Sequence, residues 1–265
     1  MNKTVIAVVG IVIAIVAGCS KSTDPASGTT GTLQVTMVDS PAGYDQVNIV
    51  IDSVLVHVST SDTTSGWTTL SKGSATYDLL KLVNGANAVI GNAKLPVGDY
   101  SQIRLYVGSG SNIVVGGVPK SLTTPGGSQS GIKLNVNATI QADVTYTLTI
   151  DFDANKSIVK SGPPNNPNYS LKPVIRAVAT ATTGNIAGAV LPKSTMPTVW
   201  AYAGLDTFST VADTSGGFKL LYLSPATYSV VIASKDTLYR DTTRTNIAVT
   251  AGNTTNIGTI TLTHK

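Results

Sequence analysis

A chain of 265 residues has room for one large or two modest domains, and its 42% apolar content rules out global disorder. Only 12% of residues are charged, and the net charge of +4 reflects few acids rather than clustered Lys and Arg, so the footprint of a nucleic-acid binder is missing. All fourteen acidic residues are Asp, and Thr, Val and Gly are abundant. That mixture favours strands joined by tight turns over helices.

The chain opens on Met1, Asn2 and Lys3, followed by an uncharged apolar run from Val5 to Gly18. A membrane span needs about 20 apolar residues. The shorter run, ended by Cys19, reads as a secretory signal peptide over residues 1–18. Val16-Ala17-Gly18-Cys19 resembles the lipobox of bacterial lipoproteins. The resemblance implies that Val16, Ala17 and Gly18 are read by the signal peptidase and that the Cys19 thiol takes the lipid. The alternative is an uncleaved anchor with an incidental cysteine. Cys19 is the only cysteine, so an internal disulfide is excluded. Two or three acyl chains of the palmitate class, at about 0.8 kcal/mol per buried methylene, hold a protein on a membrane. Ser20, where a retention Asp would stand, favours the outer membrane, on its periplasmic face or at the cell surface.

Residues 19–31 read as a lipidated tether and 32–180 as a first folded domain. Leu33, Val35 and Met37 alternate with Gln34 and Thr36, the period of a half-buried strand. In the long run from Val47 to Val58, Val47, Ile49 and Ile51 have one parity and Val54, Val56 and Val58 the other. A bulge near Asp52-Ser53 is predicted, since a one-residue slip flips the faces. Trp67 to Leu70 reads as a short strand, Tyr77 to Val83 as a strand or a helical turn, and Asn84-Gly85 as a turn. Tyr100 to Val107 is a strand, and Gly116-Gly117 marks a two-residue hairpin between Ile113–Val115 and Val118. Ile132, Leu134 and Val136 alternate, as do Val144, Tyr146, Leu148 and Ile150. The Pro163 to Asn168 stretch must be irregular, and Leu171 to Ala179 reads as a closing strand.

Small polar residues from Thr180 to Gly184 mark a boundary, with a second domain over 184–265. Six strands are predicted there: Ile186–Val190, Thr198–Ala203, Phe218–Leu223, Tyr228–Ala233, Thr245–Thr250 and Asn256–Leu262. Turn signals at this spacing suggest a sandwich.

Four ordered motifs carry a family resemblance: Val38-Asp39-Ser40-Pro41-Ala42, Leu95 to Leu105, Ile150-Asp151-Phe152-Asp153-Ala154, and Leu171-Lys172-Pro173-Val174-Ile175-Arg176. From about Gly31 to Thr180 the chain resembles domain-of-unknown-function family 4382 of bacterial lipoproteins, which implies location and architecture but no chemistry. Asp213 to Leu220 and Leu223 to Val230 resemble a carboxypeptidase regulatory-like domain, a prealbumin-like Greek-key sandwich of the carbohydrate-binding-like fold group. Ala226 stands where that family usually has Gly.

Chemical equipment is sparse. His57 and His264 are the only imidazoles, and no spacing suggests a triad. His57 has the parity opposite to Val56 and Val58, toward solvent or a sheet neighbour; His264 is expected to be mobile at the C-terminus. Asp151 and Asp153 share one strand face and would be a start on a Ca2+ site. Calcium wants six to eight oxygens, so Asp39 or Asp45 would have to help, and turn and strand-end hydrogen bonding explains the pair more simply. Asp213 with Ser215 and Gly216 reads as a hairpin turn. Trp200 and Tyr202 share a face opposite Val199 and Ala201. Inward they are core, which Trp's usual burial favours; outward they form a platform for a sugar or a partner. Trp67 carries the same ambiguity at a loop rim.

The sequence therefore predicts an all-β protein of two β-sandwich domains on a lipid anchor. The expected role is a non-catalytic cell-envelope module that binds an envelope protein or a glycan, with no nucleic-acid partner. A carbohydrate-binding lipoprotein is the alternative, and an enzyme would need a cleft converging on His57 or on Asp151 and Asp153.

Overall fold

A stretch of alternating Val, Ile, Leu and Thr gains most by burying one face of a strand against another sheet, and this chain does so twice. The computed structural model describes residues 29–59, 65–126 and 129–265, and it is all-β. The first twelve strands are β1 (Thr30–Ser40), β2 (Gln46–Val58), β3 (Trp67–Asp78), β4 (Ala88–Pro96), β5 (Gly98–Val107), β6 (Asn112–Val115), β7 (Val118–Thr123), β8 (Ile132–Ile140), β9 (Thr145–Asp153), β10 (Ile158–Ser161), β11 (Asn168–Leu171) and β12 (Ile175–Ala179). One sheet runs β12-β9-β1-β4; the other runs β10-β11-β7-β6-β2-β5-β8, with β3 on the free side of β2. Leu33, Val35 and Met37 from β1 meet Val47, Ile49, Val54 and Val56 from β2 in one shared core, all fully buried. Each such side chain contributes about 1.5–3 kcal/mol relative to exposure.

Strand β2 shows why its parity changes. Against β5 the register shifts between Ile51 and Ser53 with Asp52 as the extra residue, which returns Val54 and Val56 to the core side. Against β3 the shift falls at the same place, but the extra residue is in β3, at Gly73-Ser74. The Gly116-Gly117 turn closes the β6–β7 hairpin with both residues at positive φ, 57° and 76°, which only glycine adopts without strain.

Two sequence expectations are corrected in this half. The strand at Trp67 does not stop at Leu70. It continues through Gly73 (φ 119°) to Asp78, because β2 supplies partners along its whole length despite the polar Ser71–Ser74 stretch. A single 3-10 turn over Leu79–Lys81 follows, capped by the Asp78 carboxylate. Leu171 to Ala179 is two strands in different sheets, since Pro173 breaks it: β11 pairs with β10 and β7, β12 with β9. A one-turn helix α1 (Ala154–Ser157) leads from β9 into β10.

A 3-10 turn at Thr180–Thr182 precedes the second group: β13 (Gly184–Leu191), β14 (Thr198–Ala203), β15 (Asp206–Val211), β16 (Gly217–Leu223), β17 (Ala226–Ala233), β18 (Thr242–Val249) and β19 (Thr254–Thr261). They form sheets β16-β13-β19 and β15-β14-β17-β18 around a separate core that includes Ile186, Val199, Phe218, Tyr228, Val230 and Ile260. Strand β15 has no counterpart in the sequence reading: Asp206-Thr207-Phe208-Ser209-Thr210-Val211 carries few apolar residues, and pairing with β14 specifies it. His264, expected to be mobile at the C-terminus, instead forms a bridge to Tyr239 with ring centroids 4.4 Å apart. No helix among the described residues is long and apolar enough to cross a membrane.

Candidate functional site

Val16, Ala17, Gly18 and Cys19 lie outside the described residues. The remaining candidates fall in three places.

The first is the seam between the two sandwiches. Asp151 and Asp153 stand on one face of β9, opposite buried Phe152. They have different partners. Arg176 of β12 pairs with Asp151 at 2.6 Å and lays its guanidinium 4.3 Å over the ring of Phe208 in β15. Asp153 caps α1 by accepting the Lys156 N–H at 3.0 Å and pairs with the Lys156 ammonium at 2.8 Å. The two carboxylates, Lys156, Arg176, Asp206 and Phe208 line a cleft of about 300 Å³. Burial pushes the Asp151 carboxyl above its ordinary range, against the pull of Arg176.

Asp39 behaves differently. In β1 it is in register with Phe152, so it shares the core-facing side rather than the face of Asp151 and Asp153. One oxygen accepts the Ala154 N–H at 2.9 Å; the other is buried without a hydrogen-bond partner among the described residues. Burial raises this carboxyl well above its usual value, and the nearby Asp151 and Asp153 add to the rise. Asp45 is engaged elsewhere, accepting the Gly117 N–H at 2.8 Å. No group of three His, Cys, Asp or Glu side chains suited to a metal is found among the described residues. Asp213 is a turn residue that also reaches the first domain. It accepts from the Ser215 N–H and hydroxyl and the Gly217 N–H, and the Asn84 amide reaches its other oxygen at 3.2 Å. These hydrogen bonds hold its carboxyl below the usual range.

The second place is the outer face of β14. Val199 and Ala201 point into the core, which places Trp200 and Tyr202 outside it. The inward expectation is reversed: Val199 and Ala201 are fully buried in the second core, and the larger rings take the other side of the strand. The rings lie 6.4 Å apart and within 19° of parallel, and Tyr202 is 39% exposed. By strand register, Ser209 and Val231 flank Trp200, while Thr207 and Ser229 flank Tyr202. Two near-parallel rings with small hydroxyls beside them suit the apolar face of a flat ring and the polar groups at its rim.

The third place is the outer face of the large sheet, around Trp67. The Arg104 guanidinium lies 3.9 Å over the Trp67 ring, and His57 packs against that ring at 4.8 Å. His57 is 5% exposed although it stands on the outer side, because Trp67 covers it. Sequence reasoning missed Arg104 here. Nothing in the local pattern of Gln102-Ile103-Arg104 says that β2 lies between β3 and β5 and brings the two side chains together.

The sequence profile of the family described as Domain of unknown function (DUF4382) matches residues 30–173, more than half of the chain. The chain belongs to the DUF4382 family. Its DUF4382 region ends at Pro173, between β11 and β12, so the last strand of the first sandwich, with Arg176, lies beyond the match. No curated protein matches the chain. Among solved structures, it is similar to a C-terminal interface mutant of the type II cohesin-X-dockerin complex of Acetivibrio cellulolyticus at 21% identity and a TM-score of 0.25, covering 31% of this chain and 58% of that one. The minor pilin GBS52 of Streptococcus agalactiae matches at 13% identity and 0.25, covering 88% of this chain and 96% of that one. The shaft pilin of Lactobacillus rhamnosus GG matches at 10% and 0.22, covering 89% and 99%.

Proposed function

We propose that this DUF4382 protein is a non-catalytic binding module of the cell envelope, lipid-anchored through Cys19, that presents the Trp200–Tyr202 face of its C-terminal sandwich to a glycan. The observation that carries this reading is the outward, near-parallel pair of rings on β14, flanked by small hydroxyl residues. A sugar ring stacks on such a surface through its C–H face, while hydroxyls at the edge meet polar neighbours. The anchor rests on the sequence from Val16 to Cys19, and the absence of a retention Asp at Ser20 favours the outer membrane. The seven-stranded C-terminal sandwich agrees with a carboxypeptidase regulatory-like module, whose motifs are Asp213 to Leu220 and Leu223 to Val230.

The test is a screen of the purified chain against neutral polysaccharides by affinity electrophoresis, with Trp200→Ala beside it. Retardation by a glycan, lost in the variant while its melting temperature holds, supports the reading. Absence of retardation by any glycan overturns it and directs the search to protein partners. Metabolic labelling with palmitate tests the anchor: Cys19→Ala should abolish the label, and a variant that still labels refutes it.

A further inference from the structure

The outer face of β3-β2-β5-β8 carries cations that no carboxylate answers. Strand register places Arg104 of β5 beside Lys133 of β8, and Leu55 of β2 on its other side. Lys72 of β3 stands one step along the same face, opposite Ser53. None of the ion pairs among the described residues involves Lys72, Arg104 or Lys133. Both lysines are exposed and Arg104 is partly so. Two acids border the face and each is engaged by a hydroxyl: Asp99 by Thr139 at 2.7 Å, and Asp52, next to the Ser53–Lys72 pair, by Ser74 at 2.6 Å.

The arginine is also preset. Its guanidinium lies 3.9 Å over the Trp67 ring, and its Nε donates to the Gln102 side chain at 3.4 Å. That geometry restrains the planar fork, which suits two-point recognition of a carboxylate. In the next row Gln102 is in register with Asn135, so a pair of amides lies alongside the pair of cations. Arg104 and Lys133 stand on adjacent strands, about 4.8 Å apart, so an acidic chain lying across β5 and β8 could meet both with carboxylates and offer hydroxyls to Gln102 and Asn135 beside them.

We infer that this face binds an acidic polysaccharide of the polyuronate class, with Arg104 and Lys133 taking neighbouring carboxylates. The surface belongs to the first sandwich, on a different domain from Trp200 and Tyr202, and stands or falls separately from the site proposed there.

The experiment is affinity electrophoresis and calorimetry of the full chain with polygalacturonate, with uncharged dextran and duplex DNA as comparators. Saturable binding to polygalacturonate is expected, weakening as salt rises, at least tenfold weaker in Arg104→Gln/Lys133→Gln and unchanged in Trp200→Ala. Dextran should not bind at this face. No binding to polygalacturonate at low salt overturns the inference, as does binding that the double variant leaves intact. Equal binding of duplex DNA also overturns it, because it would make the face a general polyanion surface. A circular dichroism melt of the double variant establishes that it folds; should it not, the single Lys133→Gln, at an exposed position, must still weaken binding, and an unweakened result counts against the site.

Discussion

Tyr100 and Tyr228 make the same hydrogen bond in different sandwiches. Each phenol donates to the carbonyl four residues earlier, Pro96 at 3.1 Å and Ser224 at 2.9 Å. Both rings are buried, and in each case a Leu stands five positions before the Tyr, at Leu95 and Leu223, also buried. Removing the hydroxyl leaves a carbonyl without its donor. Tyr100→Phe and Tyr228→Phe should each cost about 1 kcal/mol, read as a lowered urea midpoint with an unchanged slope. Midpoints equal to wild type would show that water replaces the donor.

Arg176 joins the domains through two different faces of its side chain, an ion pair to Asp151 and a stack on Phe208. Arg176→Ala should destabilise by about 2 kcal/mol, below the range for a fully buried pair because the pair is partly solvated. Arg176→Lys should recover only part of this loss, since an ammonium lacks the planar surface that covers the ring. Full recovery by Lys would assign the whole effect to charge. Chemical denaturation of the three proteins decides it.

Asn84 is the second tie across the seam. Its amide donates to the Asp213 carboxylate and to the Gly217 carbonyl at 3.3 Å, and its oxygen accepts the Lys219 N–H. Its φ is 55°, a left-handed conformation that Asn tolerates and glycine adopts freely. Asn84→Gly keeps the backbone and deletes the side-chain bonds, so the Lys219 amide should exchange with deuterium at least tenfold faster. Exchange at the wild-type rate would mean that the seam holds by packing alone.

Asp39 gives the protein a pH dependence of definite sign. Its folded-state carboxyl is raised, so the native state holds a proton that the unfolded chain releases above about pH 3.8. The stability linked to this group is fully present below that value and is lost as pH rises through the raised folded value. Asp39→Asn mimics the neutral acid and should flatten the decline while leaving low-pH stability near wild type. Asp151, Asp153 and Arg176 around this end of β1 and β9 stay unchanged in the comparison. Parallel stability–pH curves for the two proteins would rule out Asp39 as the source.

The all-β class, the bulge at Asp52 and the Gly116-Gly117 hairpin were legible in the sequence, because each rests on local alternation or on a residue with special backbone freedom. The shared face of Trp200 and Tyr202 was legible for the same reason. Which side that face took was not: it was decided by the packing of Val199 and Ala201 into the core shared with the facing sheet. Strand β15 and the full length of β3 escaped local reading because pairing with a neighbour, rather than their own composition, stabilises them. The surface built from Lys72, Arg104 and Lys133 comes from three strands spread over more than sixty residues, and no window of sequence contains it. Periodicity determined what each strand buries. Only the order of strands in the sheets decided which side chains meet, since that order is set by non-local hydrogen bonding and by closure of a common core.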